Sequence, residues 1–291
     1  MLYLHGIGHF HPDNVIDNAF LESLDIGTND EWIVSRVGIR ERRTCLPLDY
    51  IRETKNQDVR ASQEASTLTN AQCGARAAKL ALQRAGLSLE DIGMVIAGSC
   101  APDTCIPAEA SAVACELGLD VPAFDMHSAC STFGMHMHFL SHMSTALPEY
   151  VLTIIVENIS RVTDYSDRSS AVLFGDCATA AVISTKHPSR CRIAHSSFGG
   201  APAGALDVVI PRAGFFAQNG SKVQKFAIKR MAQLYRECRE AAGPERAPDT
   251  VYLGHQANFT MLKSVAKRCD VPADKHWFNI DMFGNVGAAG A

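Results

Sequence analysis

The residue with the clearest chemical potential is Cys130, in Phe124-Asp125-Met126-His127-Ser128-Ala129-Cys130-Ser131-Thr132-Phe133-Gly134. An apolar strand pattern stops there, small residues follow, and a helix-forming run begins. A side chain at the first turn of a helix meets the positive end of the helix dipole and unpaired backbone N–H groups, which favour thiolate over thiol. The same N–H groups suit a developing oxyanion. A free cysteine is also a common packing residue. This stretch alone therefore leaves both roles open until partner groups are found.

Two other groupings carry possible chemistry. Trp32 lies among Arg36, Arg40 and Arg42 after Thr28-Asn29-Asp30-Glu31. An aromatic among cations can stack a purine and hold phosphates, or it can be the half-buried residue of a capped helix with a solvated charged face. His138 and His142 share a helical face beside His136, but zinc wants three or four protein ligands, and no acidic or thiolate ligand lies nearby in sequence. No metal site is expected. The ten cysteines contain no C-x-x-C pair, so neither a zinc ribbon nor a disulfide framework is expected.

The elements that must position these residues read as layered α/β. A chain of 291 residues can bury a large core in one domain or two fused ones. Its net charge of -4 argues against a general nucleic-acid binder. No membrane span or signal peptide is legible, which places the protein in the cytoplasm. Residues 2–8 suit an opening strand, and Asn18 a cap for a helix over Ala19 to Leu24. Residues 43–66 read as an irregular surface excursion. Ala71, Ala75, Ala78 and Leu82 give helical spacing from Thr69 to Ala85, with Gly86 as the stop.

Strands are expected over Ile92 to Ala97, Pro122 to Met126 and Tyr150 to Val156, with helices over Ala108 to Leu117 and Phe133 to Leu147. Ala171 to Ile183 suggests two apolar strands around Gly175-Asp176. Gly199 to Gly214 is a soft stretch, linker or pocket rim, before a long amphipathic helix over Lys222 to Ala241. A short strand over Thr250 to Leu253 leads into Gly254-His255-Gln256-Ala257-Asn258.

Taken together, these segments resemble the β-ketoacyl-acyl-carrier-protein synthase III enzymes of the thiolase superfamily. The match runs through Asp30 to Val34, Gly38 to Arg42, Pro122 to Asp125 before Cys130, Asp167-Arg168, Phe174-Gly175-Asp176, His255 to Asn258 and Gly284-Asn285, in the family's order. The resemblance implies a duplicated five-layer α/β/α/β/α fold, with an N-terminal half over 1–168 and a C-terminal half over 169–291, usually as a homodimer. It implies a Cys-His-Asn triad of Cys130, His255 and Asn285. Cys130 would accept the acyl group, while His255 and Asn285 would bind the thioester carbonyl of a malonyl extender. Coenzyme A would lie against Thr28, Trp32, Arg36 and Arg168, with Asn258 beside the pantetheine. Lys225, Lys267 and Arg268 would dock an acidic acyl carrier protein, and Ile106 and Phe133 would border the acyl pocket. The implied reactants are an acyl-CoA or acyl-carrier-protein thioester and malonyl-ACP or malonyl-CoA. No metal or redox cofactor is implied.

Several positions depart from the family pattern. Thr260 stands where an Arg is frequent, Ile106 where a Phe from the neighbouring subunit is frequent, Thr132 where Gly is usual, and Cys177 with Thr179 replaces Gly in the Gly-Asp hinge. The family continues beyond Gly284-Asn285 with a helix and two central strands, so the expectation is an incomplete second half ending at Ala291. The leading expectation is decarboxylating Claisen condensation, in fatty-acid or specialised polyketide metabolism. Acyl transfer from Cys130 to an oxygen or nitrogen nucleophile, or an inactive subunit of a heteromeric synthase, are the alternatives.

Overall fold

The computed structural model describes residues 1–143 and 146–290. Its frame is a six-stranded mixed sheet in the order Ala123–Asp125, Ile92–Gly98, Tyr150–Asn158, Asp176–Ser184, Leu2–Phe10, Cys191–Ile193. The first three strands run parallel, and the remaining pairings are antiparallel. Asp176–Ser184 and Cys191–Ile193 lie beyond residue 168, yet they complete this first sheet. Later in the chain Tyr252–Leu253 pairs in parallel with His276–Trp277.

Each face of the sheet is covered for a reason visible in composition. The helix Asn70–Ala85 presents Gly74, Ala75, Ala77, Ala78 and Ala81 to the sheet. These small residues let its backbone come close to the strand Leu2–Phe10. A β-carbon on Gly8 would lie 2.0 Å from the Ala77 carbonyl oxygen, and one on Gly6 2.3 Å from that of Ala81. The helix begins with a Thr69–Gln72 capping box and ends at left-handed Gly86. On the other face, Met137 and Leu140 of the helix Thr132–His142 pack against Ile96, Val151, Ala181 and Ile183. The central strands Tyr150–Asn158 and Asp176–Ser184 are buried along almost their whole length, as continuous apolar runs require.

The structure corrects several local expectations. Asp17, not Asn18, caps the first helix, Asn18–Ser23, by accepting from Phe20 N–H at 2.7 Å. Asn18 is buried and occupied with Arg42. Residues 43–66 are not irregular: they finish a strand, Glu41–Thr44, and form the helices Leu48–Thr54 and Val59–Ala65. Buried Ile51 and Ser62 anchor those helices, too few apolar positions to show as a pattern. The helix after Cys130 ends at His142, short of Leu147; Ser144 and Thr145 lie outside the described residues.

Between Ala171 and Ile183 there is one strand, not two. Asp167 caps a short helix, Arg168–Ala171, and Phe174 makes an isolated bridge to Asn285. Arg42 explains the bend. Fully buried, it donates from Nε and Nη2 to the Val172 carbonyl and from Nη1 to Asn18 Oδ1 at 2.7 Å. Arg42 therefore holds backbone rather than a ligand. No helix among the described residues is long and apolar enough to cross a membrane.

The close approach at Gly8 makes a direct prediction. Gly8→Ala should lower stability by about 1–3 kcal/mol, the usual cost of overpacking. Gly134→Ala, where an added carbon meets nothing within 4 Å, should be neutral or stabilising by up to about 1 kcal/mol. Urea midpoints of the two variants test the difference.

Candidate active site

The strand Ala123–Asp125 delivers the chain to a tight turn, Ala129–Ser131, that opens the helix Thr132–His142. Ala129 holds a left-handed conformation with φ 44°, which costs about 1–3 kcal/mol unless its surroundings enforce it. Thr132 does so. Its hydroxyl accepts from Ser128 N–H at 3.0 Å and donates to the Ala129 carbonyl at 2.7 Å, while Ser131 N–H donates to the Ser128 carbonyl at 3.0 Å. The departure at Thr132 thus pins the turn on which Cys130 stands.

Cys130 is exposed, but protein crowds its sulfur. The expectation of a favoured thiolate is corrected here. Desolvation and the nearby Glu157 carboxylate push the thiol up to about 12, outweighing the backbone donors. Cys130 rests as a thiol.

Two remote segments meet this turn. The short helical turn Gly287–Gly290, immediately after Asn285, packs against Ala129–Ser131. Asn285 is buried; its carboxamide oxygen accepts from Gly287 N–H at 3.0 Å, and no acceptor engages its NH2 group among the described residues. Gly284, at φ 68°, supplies the turn before it. The second segment is Gly254–Asn258. Gln256 is buried, with its side chain beside the place a Gly290 β-carbon would take, 3.5 Å away, and its Oε1 accepts from Asn279 N–H at 3.2 Å. The turn carrying His255 is thus bonded to Asn279 and lies beside the turn that follows Asn285. His255 has a buried Nδ1 with no partner among the described residues. Burial lowers its pKa from 6.5 to about 4, so the imidazole is neutral near pH 7.

At the surface, Arg168 lies over Trp32 with 4.9 Å from guanidinium carbon to ring centroid, and Arg36 lies 5.9 Å from the same ring. Arg168 also donates to the Gly27 carbonyl. Thr28 and Trp32 border a hollow of about 300 Å³ with Glu22, Asp25, Gly27 and Asn29, and the Thr28 hydroxyl is buried without a partner among the described residues. Asn258 has a structural duty: its Oδ1 caps the helix Phe259–Arg268 by accepting from Thr260 N–H at 2.9 Å. Thr260 is itself bound up in that cap. Lys267 and Arg268 are exposed at the end of this helix, which packs on the long helix Gly220–Ala242 carrying exposed Lys225.

Phe133 borders a small cavity of about 30 Å³ with Ile7, Thr153, Ile155, Thr179, Ala180 and Ala181. Ile106 is 88% exposed on a loop. His138 and His142 turn to Ser196 and to the His138 carbonyl, and buried His136 to Thr153 and the Met126 carbonyl. Two buried carboxylates near the site escaped the sequence reading. Glu157 and Glu109 are both raised to about 7, chiefly by burial. The signal for Glu157 was present: it is the lone charge in Tyr150–Asn158.

Solved structures place this architecture among the thiolase-like condensing enzymes. A 3-oxoacyl-[acyl-carrier-protein] synthase III from Aquifex aeolicus superposes with a TM-score of 0.86 and 30% identity, over 100% of this chain and 88% of that one. The priming β-ketosynthase of the R1128 polyketide pathway superposes with a TM-score of 0.81 and 25% identity, over 100% and 85%. Residues 124–202 match the model of the 3-oxoacyl-[acyl-carrier-protein] synthase III family, and residues 243–291 match its C-terminal model. A β-ketoacyl-[acyl-carrier-protein] synthase III from Syntrophomonas wolfei is 31% identical over 98% of this chain and 84% of its own. Its counterpart from Oceanobacillus iheyensis is 32% identical over 98% and 85%. The chain belongs to the β-ketoacyl-acyl-carrier-protein synthase III family of acyltransferases.

The low basicity of His255 has a consequence for folding. Unfolded, the imidazole takes a proton near 6.5; folded, near 4. Below 6.5 the unfolded state binds more protons at this group, so its contribution to stability falls as pH drops from 6.5 towards 4. His255→Gln should remove that part of the pH dependence, leaving the contributions of His11, His127, His136 and His276, which burial also lowers, and the opposing ones of Glu109 and Glu157, which burial raises. Urea midpoints measured across this range test it.

Proposed function

We propose that this enzyme condenses an acyl thioester with a malonyl thioester, releasing carbon dioxide and giving a β-ketoacyl product, with Cys130, His255 and Asn285 as its catalytic groups. The observation that carries this reading is the packing of Ala129–Ser131 against Gly287–Gly290, with Gln256, next to His255, lying beside Gly290. Three segments remote in sequence come near one another there.

The first half-reaction is transthioesterification. The Cys130 sulfur attacks the acyl carbonyl, the bond to the departing sulfur breaks, and the thiol proton leaves with the departing thiolate. A thiol that needs its proton removed in step with attack suits a donor whose leaving group is itself a thiolate. In the second half-reaction the malonyl carboxylate leaves as carbon dioxide. Negative charge grows on the thioester oxygen, where N–H donors from neutral His255 and the Asn285 carboxamide stabilise the enolate. The enolate carbon then attacks acyl-Cys130 and the sulfur departs. A neutral imidazole avoids drawing the malonyl carboxylate into an ion pair that would hold it back.

In this reading the acyl-CoA adenine stacks at Trp32 and Arg168, with Thr28 and Arg36 along the entrance and the NH2 of Asn258 towards the pantetheine. Lys225, Lys267 and Arg268, exposed on two packed helices, receive the acidic carrier protein that brings the malonyl unit. Phe133 borders the acyl pocket. The first half runs past residue 168 to Cys191–Ile193, the last strand of its sheet, rather than ending at 168. The enzyme works as a homodimer: the strand Ala123–Asp125 leaves one sheet edge open, and exposed Ile106 reaches a partner's acyl pocket from its loop.

Intact-mass detection of an acyl adduct on Cys130 from acyl-CoA, followed by carbon dioxide release from a malonyl thioester, tests the assignment. Absence of the adduct overturns it. His255→Ala should retain the adduct while losing condensation by about 100-fold or more, the usual effect of deleting an oxyanion donor. Trp32→Ala should raise the KM for acyl-CoA loading about 3- to 10-fold, as loss of a stacking contact worth about 0.7–1.4 kcal/mol implies, with little effect on acyl-pantetheine. Steady-state loading rates for the two donors separate these outcomes.

A further inference from the structure

Glu157 has no part in the chemistry above, yet it bonds both to the loop after Ile92–Gly98 and to the turn after Asn285. It is fully buried at the end of the strand Tyr150–Asn158, directly paired with Cys177 of Asp176–Ser184. Its Oε2 accepts from Cys100 N–H at 2.9 Å, on the loop after Ile92–Gly98, and its Oε1 from Ala288 N–H at 3.5 Å, three residues after Asn285. Position 287 tolerates no side chain facing it: a β-carbon on Gly287 would lie 2.9 Å from the carboxyl carbon. The Gly287–Gly290 turn so held is the one packed under Ala129–Ser131. A buried carboxylate with two backbone donors costs stability, and a leucine there would suffice for packing alone.

We propose that Glu157 is a positioning residue of the condensing site: wedged between Cys100 and the turn after Asn285, its carboxylate holds that turn against the nucleophile and places a negative charge that keeps Cys130 a thiol at rest. The titratable groups facing it are Cys100, whose thiol and N–H both bond to it, Cys130, Cys177 and, further off, Glu109. All four are neutral or anionic, so charge at this point is shared out rather than cancelled. A thiol held in this way resists alkylation and oxidation while the site is empty. It yields its proton only as an acyl donor's thiolate departs, so acylation leaves the charge of the site unchanged.

The proposal rests on Cys130 as the nucleophile, but its test needs no acyl donor. Alkylation of Cys130 by iodoacetamide, followed by peptide mapping against a Cys130→Ser background, gives its rate as a function of pH. Glu157→Gln removes the charge and leaves one acceptor oxygen, so one of the two backbone N–H groups loses its partner. It should alkylate about tenfold faster at mildly alkaline pH, the effect of a shift of about one pH unit in the thiol, with condensation slowed as the turn after Asn285 loosens. A profile that superimposes on the wild type overturns the proposal. Should Glu157→Gln fail to fold, the wild-type profile decides. Its logarithm should rise with unit slope, flatten as Glu157 ionises near pH 7, and then resume; a single unit slope throughout overturns the assignment. Failure of the wild type to take an acyl group would instead overturn the reaction proposed above and leave the alkylation result standing.

Discussion

Two backbone hydrogen bonds join the middle of this chain to its far end. Gly175 N–H donates to the Asn285 carbonyl at 3.1 Å, and Asn285 N–H donates to the Leu173 carbonyl at 2.8 Å. The splice requires bare backbone on both sides. A β-carbon on Gly175 would lie 2.4 Å from the Phe283 carbonyl oxygen, and one on Gly284 2.8 Å from that of Leu173. Arg42 completes the joint by engaging Val172 from a third segment. This junction sets where Asn285 stands relative to the sheet that carries the nucleophile turn, and the bond from Ala288 N–H to Glu157 sets the turn that follows it.

The electrostatics of these candidate groups follow chiefly from burial. At Cys130 desolvation and an adjacent carboxylate outweigh the backbone donor, so the thiol is raised. His255 is lowered by desolvation and stays uncharged. Sulfur and imidazole are thus both held in neutral forms. That suits a reaction whose charge appears only transiently on a substrate oxygen.

The sequence made the large elements legible where periodicity was strong: the Ala-spaced helix with its capping box and Gly86, the apolar central strands, and the small-residue run around Cys130. It misled where tertiary contacts overrode pattern. Ala171 to Phe174 looks like a strand, but the Asp167 cap and the buried Arg42 turn it into a short helix and a bridge. Residues 43–66 look irregular because their helices are short and bury few side chains. The candidate site was named from the order of motifs rather than from spacing, since nothing in the intervals between Cys130, His255 and Asn285 marks them as a set. Glu157 was overlooked because a single glutamate in an apolar strand reads as an exception until its partners are seen.

The stacking at Trp32 changes what recognition there means. Arg168 already lies over one face of the indole and is tethered to the Gly27 carbonyl. A planar ring sandwiched between the two would have to part a contact worth about 0.5–1 kcal/mol at an exposed position. Its own stacking would then count only as the surplus over the contact it opens. Selectivity at such a pair would grow with the aromatic surface a visitor brings to both faces.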